Sequence, residues 1–350
     1  MQEGYVIARL GRRRRGSLTG LMISNFITTI RLGLSGGVSV RTRVLAITAA
    51  AVSAAFGLAG CGTASSGTVG GSAGAGASRT IQVVAAENFW GSIAAQLGGS
   101  HVKVTSIIDN PNADPHDYEP TAADGRAIAS ADLVLINGVG YDTWASKLVA
   151  ANPAPKRTVV TVGDVVGAGE GANPHRWYNP DDVTTVVNRL TAAYQNGDPA
   201  DAAAFAAQKR SFETTGLAAY KAVIAQIKTT YAGTPVGASE SIFAMLAPAL
   251  GLDLRTPPTF LKAISEGTDP SAADKATIDA QLTGKKIKVY VYNSQNATPD
   301  VQTQIGEAKA AGIPVTTITE TMVPATATWQ QWQTAQLIAL RDALAEGTGK

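Results

Sequence analysis

Cysteine is almost absent from this 350-residue chain, and the single Cys61 excludes an internal disulfide. Histidine is nearly as scarce: with three in all, any imidazole chemistry must draw on His101, His116 or His175. No His-Glu-x-x-His helix and no histidine-rich stretch occurs. Basic charge is lacking beyond the start. The formal net charge is +2, but residues 1–60 hold eight Arg and one Glu, which leaves 21 Lys+Arg against 26 Asp+Glu downstream. An acidic remainder carries no electrostatic footprint for nucleic acid, so no nucleic-acid partner is expected. A bilayer-spanning apolar run is missing too, because Val44–Phe56 is too short to cross comfortably.

That short run has a meaning of its own. Arg41 and Arg43 precede it, and Leu58-Ala59-Gly60-Cys61 follows it. A positive segment, a short apolar stretch and small residues make a secretory signal peptide. Leu58–Cys61 further resembles the bacterial lipobox, in which the cysteine is lipidated and becomes the first mature residue. Residues 1–60 are therefore expected to be leader and signal peptide, and 61–79 the lipidated Cys61 and a tether. Gly62–Ser78 contains only Gly, Ala, Ser, Thr and Val and cannot build a core. As a flexible coil it would hold the folded part on the order of 20–25 Å from its anchor. Arg12–Arg15 lie too far from the apolar run to suit a twin-arginine signal, and translation starting near Val38 or Val40 would leave a signal peptide of normal form.

From Ile81 onward short β-branched runs alternate with helical patterns, which argues for α/β structure with parallel sheets. Strands are expected at Ile81–Ala85, Val102–Ile108, Leu133–Asn137 and Thr158–Val162, with helices at Phe89–Leu97, Thr121–Ser130 and Tyr141–Ala151. Asn179-Pro180-Asp181-Asp182 opens a further helix, with Asn179 as N-cap and Pro180 at the first position. Asp198, Pro199 and an apolar stripe running to Tyr231 predict one long helix over 198–233, roughly 50 Å at 1.5 Å per residue. Strands at Val236–Ala238, Leu252–Arg255, Ile287–Tyr292 and Val315–Ile318 alternate after it with helices at Ile242–Leu250, Ser271–Leu282, Pro299–Ala311 and Thr328–Ala345. The expected fold is two parallel-sheet α/β lobes, 80–197 and 234–350, joined by one long backbone helix, with a ligand site in the cleft between them.

Ligands of open parallel sheets bind beyond the carboxyl ends of the strands, and four residues of one chemical character fall there. His116 lies in Asp114-Pro115-His116-Asp117-Tyr118-Glu119-Pro120, after the second strand. His175 lies in Asn173-Pro174-His175-Arg176-Trp177-Tyr178-Asn179-Pro180, after the fourth. Glu240 follows Val236–Ala238 and Glu320 follows Val315–Ile318. Two neutral imidazoles and two carboxylates balance a dication, which matters because unpaired charge is costly in a cleft. By contrast, His101 reads as a solvated turn residue. Trp90, Trp144 and Trp177 could line the cleft but are more simply core, and Trp329 and Trp332 are packing residues.

These motifs, in this order and behind a lipobox, resemble the solute-binding lipoproteins of zinc and manganese ABC importers, the group that includes the streptococcal adhesin-type lipoproteins. The resemblance covers Thr80–Ala345. It implies a carrier and no enzyme: a monomer that captures one divalent ion outside the cytoplasm and hands it to an ABC permease in the cytoplasmic membrane, to which a lipid anchor holds it. Cell adhesion is attributed to relatives. Three of the family's four ligands match at His116, His175 and Glu240. The fourth, usually Asp in Thr-Asp-Ser-Leu, is Glu320 in Thr319-Glu320-Thr321-Met322, one methylene longer. A Glu in the third position points to manganese ahead of zinc, with iron(II) also suited to two nitrogens and up to four carboxylate oxygens. The competing reading is a metallohydrolase at the cell surface. It is disfavoured because four protein ligands leave little room for substrate. N-terminal sequencing of the unprocessed precursor tests the start site: no peptide from Gln2–Arg15 is expected, and finding one would refute a start near Val38 or Val40.

Overall fold

The computed structural model describes residues 79–111, 113 and 118–350. The leader, Cys61, the tether and His116 lie outside these residues. The first part runs β1 (Ile81–Glu87), α1 (Asn88–Gly98), β2 (Val102–Ile108), α2 (Ala122–Ser130), β3 (Leu133–Ile136), α3 (Thr143–Ala151), β4 (Thr158–Thr161), α4 (Val162–Val166) and α5 (Pro180–Gly197). Two helices, α6 (Ala202–Ser211) and α7 (Ala218–Tyr231), lead into the second part. It comprises β5 (Pro235–Ala238), α8 (Ser241–Leu250), β6 (Asp253–Leu254), α9 (Pro258–Ser265), α10 (Ala272–Thr283), β7 (Tyr290–Asn293), α11 (Pro299–Ala310), β8 (Val315–Ile318) and α12 (Trp329–Thr348).

Among the described residues the strands form two four-stranded sheets, ordered β2-β1-β3-β4 and β6-β5-β7-β8. Every pairing is parallel, with Val83 opposite both Val104 and Leu133, and Val291 opposite Thr316. The two halves thus repeat one winding. The central strands are buried on both faces, Leu133–Ile136 along its whole length, as parallel strands covered by helices must be. At the end of β1 the buried Glu87 and Asn88 lead straight into α1.

The predicted long rod is the main departure. The chain from 198 to 233 is a 3-10 turn (Pro199–Asp201), α6, a π-helical turn (Phe212–Gly216) and α7. The Leu217 N–H reaches back five residues to the Phe212 carbonyl at 2.8 Å. This wide turn lets both Phe212 and Leu217 be buried on either side of Gly216. Asp198 makes no side-chain cap; its backbone N–H instead closes α5 on Tyr194 O at 2.8 Å. His101 also departs from expectation: its Nδ1 lies 2.6 Å from Asp201 Oδ2, and its ring packs edge-on against Phe205. A reading of isolated turns cannot anticipate a partner a hundred residues away. Two helices were missed. α4 is too short to show a period, and α9 starts at Pro258, where a first-turn proline supports a helix instead of breaking it.

One core runs through both halves, from Val83 and Leu135 to Val236, Val291 and Leu340. α12 returns from the second half to the first. Its Trp329 N–H donates to Ser92 Oγ at 2.9 Å, and Gln96 and Gln330 exchange amide hydrogen bonds at 3.0 and 2.6 Å. The Tyr220 ring of α7 meets Trp329 at 5.0 Å, so Trp329 and Trp332 are packing residues as expected. Asn179 caps α5 as expected, its Oδ1 accepting from the N–H groups of Asp181 at 2.9 Å and Asp182 at 3.4 Å. Asn179→Ala leaves both donors without that acceptor and should cost about 1 kcal/mol, measured by urea unfolding.

Candidate metal centre

The described residues contain one cluster of metal-ligating side chains, His175, Glu240 and Glu320, with one candidate ligand atom from each lying within 4.8 Å of the others. His175 Nε2 stands 3.6 Å from Glu320 Oε1. His175 comes from the first half and the two glutamates from the second, which the chain alone separates by 65 to 145 positions. Each sits beyond a strand end. Glu240 follows β5 and Glu320 follows β8, as expected, whereas α4 and a loop intervene between β4 and His175.

His175 is held from behind. The Nδ2 of Asn173 donates to the Ser241 carbonyl at 2.6 Å, and a carbonyl can only accept, so Asn173 Oδ1 must face the imidazole. That oxygen takes the His175 backbone N–H at 3.1 Å and lies 2.8 Å from Nδ1. Nδ1 therefore carries a proton, and Nε2 faces the two carboxyl groups. A hydrogen bond to the far ring nitrogen that fixes the ligating one is a common feature of metal-bound histidines. The ring is fully buried and packs edge-on to Trp177 at 5.3 Å, which in turn stacks on Phe89 at 3.9 Å. Asn137 completes the support: its Oδ1 accepts from Trp90 Nε1 at 2.9 Å, and its Nδ2 donates to the Pro174 carbonyl at 2.9 Å. Trp90 and Trp177 are thus core residues that carry the histidine turn.

Glu240 occupies the N-cap position of α8 but makes no side-chain cap. Its Oε2 instead accepts from Asn293 Nδ2 at 2.7 Å. Burial, then the nearby charge of Glu320, push its carboxyl up to about 8, against the opposing effect of the Asn293 hydrogen bond. Two carboxylates crowded with an imidazole nitrogen in a largely buried crevice are costly without a cation and favourable with one. Glu320 is positioned through its backbone. Gln295 Oε1 accepts from the N–H groups of Glu320 at 2.7 Å and Thr321 at 2.9 Å, while Gln336 Oε1 accepts from Thr319 N–H at 2.7 Å. Tyr178, next to the histidine turn, donates its hydroxyl to the Thr319 carbonyl at 2.6 Å, and Trp332 Nε1 donates to Thr319 Oγ1 at 2.8 Å.

Several residues here escape a reading by motif. Glu87 is wholly buried, and burial followed by the charge of Asp142 raises its carboxyl well above the usual range. Asp142 is raised by burial too, although its oxygens accept from Asn137 N–H at 2.6 Å and Gly138 N–H at 2.7 Å. Tyr141 is held in its neutral form by burial first and by Glu320 and Glu87 next. Asn173, Asn137, Asn293, Gln295 and Gln336 are ordinary amides in the sequence. The one available signal was that Asn173 shares the turn that carries His175.

The fold is that of periplasmic metal-binding proteins. A Mn-bound periplasmic metal binding protein from Candidatus Liberibacter asiaticus superposes with a TM-score of 0.64 at 21% identity, over 76% of this chain and 100% of that one. The family described as zinc-uptake complex component A, periplasmic, matches residues 83–343, and the chain belongs to it. Among curated relatives, the manganese-binding lipoprotein MntA of Bacillus subtilis (strain 168) is 30% identical over 47% of this chain and 54% of its own length. The iron-binding protein YfeA of Yersinia pestis is 34% identical over 31% of this chain and 37% of its own. The chain thus spans about half or less of these two relatives.

A carboxyl whose folded value is raised binds its proton more tightly folded than unfolded. Its stabilising effect is complete below about 4.5 and is lost as pH rises through about 8. The melting temperature of metal-stripped protein should therefore fall between about pH 5 and pH 8.5, and Glu240→Gln should reduce that fall, as read by differential scanning fluorimetry.

Proposed function

We propose that the chain is an extracytoplasmic substrate-binding lipoprotein of an ABC importer, which captures one divalent transition-metal ion and delivers it to a membrane permease. One observation carries this reading: an imidazole nitrogen from the first half and two carboxylates from the second converge within 4.8 Å. His116, which follows β2 in the sequence, is proposed as the fourth ligand. The lobes 80–197 and 234–350 are proposed as the two walls of the site, with 198–233 connecting them. The ion is cargo. It needs a site strong enough to load and ligands separable enough to unload, which a crevice built from two halves supplies.

The donor set favours manganese, then zinc, then iron(II). One nitrogen and two carboxylates among the described ligands make a hard site. Relatives named as manganese-binding and iron-binding, and a family named for zinc uptake, span that same range. Cys61 is proposed as the lipidated residue that anchors a monomeric protein on the outer face of the cytoplasmic membrane. No helix among the described residues is long and apolar enough to cross a membrane. With a lipid anchor and a delivery role, the chain needs no catalytic group, and no enzymatic step is proposed.

The carrier should hold one ion per chain and melt at a higher temperature with it, since a ligand of the folded state stabilises that state. Manganese and zinc competing in an equilibrium titration, read by elemental analysis, rank the cargo. His175→Ala and His116→Ala should each abolish the metal-induced rise in melting temperature; a full ion complement in both variants would refute the assignment.

A further inference from the structure

We propose that Gln295 is a positioning residue that clasps the two halves beside the ion and sets how fast the ion leaves. The proposal rests on the carrier reading above. Gln295 lies just beyond β7 and makes no hydrogen bond to a side chain of the described candidate ligands, yet it ties together the supports of Glu240 and Glu320 and the segment that opens at Pro111. Its backbone N–H donates to Asn293 Oδ1 at 2.9 Å, and the Nδ2 of the same Asn293 holds Glu240 Oε2 at 2.7 Å. Its Oε1 accepts the two backbone N–H groups of Glu320 and Thr321. Its Nε2 donates to Thr321 Oγ1 at 2.7 Å and, across to the first half, to the Pro111 carbonyl at 2.7 Å. Thr321 Oγ1 donates to that carbonyl as well, at 3.3 Å.

Pro111 opens the segment that reaches His116 a few positions later in the sequence. The carbonyl receives two donors from the opposite half, so the backbone leading to one ligand is tied to the backbone that carries another. A second tie stands beside His175, where Asn173 Nδ2 donates to the Ser241 carbonyl at 2.6 Å. That second tie is one bond between turns already adjacent to ligands. Gln295, in contrast, is exposed at the rim, where water or a docking protein can compete for its amide. An ion held by ligands from both halves leaves only when they part, so a clasp at the rim acts on release more than on capture.

The side chain's two roles are chemically separable. Gln295→Glu keeps acceptor oxygens for the N–H groups of Glu320 and Thr321 but cannot donate to Pro111, whereas Gln295→Met keeps the length and loses both functions. Zn2+ is loaded at one ion per chain, and its release to excess chromogenic chelator is followed by stopped flow. Gln295→Met should speed release on the order of ten-fold, the effect of removing roughly one to two net hydrogen bonds. Gln295→Glu should speed it less, and association rates should stay near wild type in both. The melting temperature of the metal-free protein reports any purely structural role. A drop there with release unchanged would overturn the proposal, as would wild-type release rates in both variants. Failure of the wild-type protein to load Zn2+ would overturn the carrier reading itself, and the two failures are distinguished before any variant is made.

Discussion

The structure depends on bringing two carboxyl groups together where little water reaches them. Glu240 is almost wholly buried, Glu320 lies close by, and an imidazole nitrogen faces both. Nothing in an apolar core rewards such a cluster, and burial of a carboxylate near another is among the more costly arrangements a fold can adopt. Its presence requires a scaffold that resists relaxation and a counter-charge that repays it. The rigid parallel sheets, the aromatic stack under His175 and the amide ladder around Glu320 are the resisting scaffold. In the proposed function a divalent cation is the counter-charge.

The supporting groups show how this is done without further charge. Asn173, Asn137, Asn293, Gln295 and Gln336 are neutral, and each has both a donor and an acceptor. Asn173, Asn137, Asn293 and Gln295 use both, one to hold a backbone or a candidate ligand and the other to hold a neighbouring segment, whereas Gln336 acts through its oxygen, which accepts from Thr319 N–H and from the Tyr178 hydroxyl. Asn173 fixes the His175 tautomer with its oxygen and reaches the second half with its nitrogen. Charged supports would shift the ligands' own affinities for protons and would have to be paid for by further pairing.

The two halves contribute unequally. The first supplies a histidine embedded in aromatic packing, with Trp177 and Phe89 stacked beneath it. The second supplies carboxylates on strand-end turns secured by hydrogen bonds. Packing tolerates little displacement, whereas a hydrogen bond can be exchanged for one to water. In the proposed carrier, the second half and the ties across to the first are therefore where the site would open. The π turn between α6 and α7 adds a local irregularity to what would otherwise be a straight connecting strut.

The alternation of β-branched runs and helical patterns was sufficient to read the α/β class, the strand positions and most helices, because period and capping are local properties. Asn179, Pro180 and the two aspartates after them specify a helix start that needs no partner. His175, Glu240 and Glu320 were also readable as candidates, because a strand-end position in an α/β pattern is a local cue and the motifs around the histidines are specific. What the sequence could not show is anything that depends on who packs against whom. The His101–Asp201 pair, the buried Glu87 and Asp142, and the bridging amide of Gln295 all join segments far apart in the chain, and the π turn answers to the core that buries Phe212 and Leu217. An isolated glutamine has no pattern; four side-chain hydrogen bonds with two distant segments give it one, and only the tertiary structure brings those segments within reach.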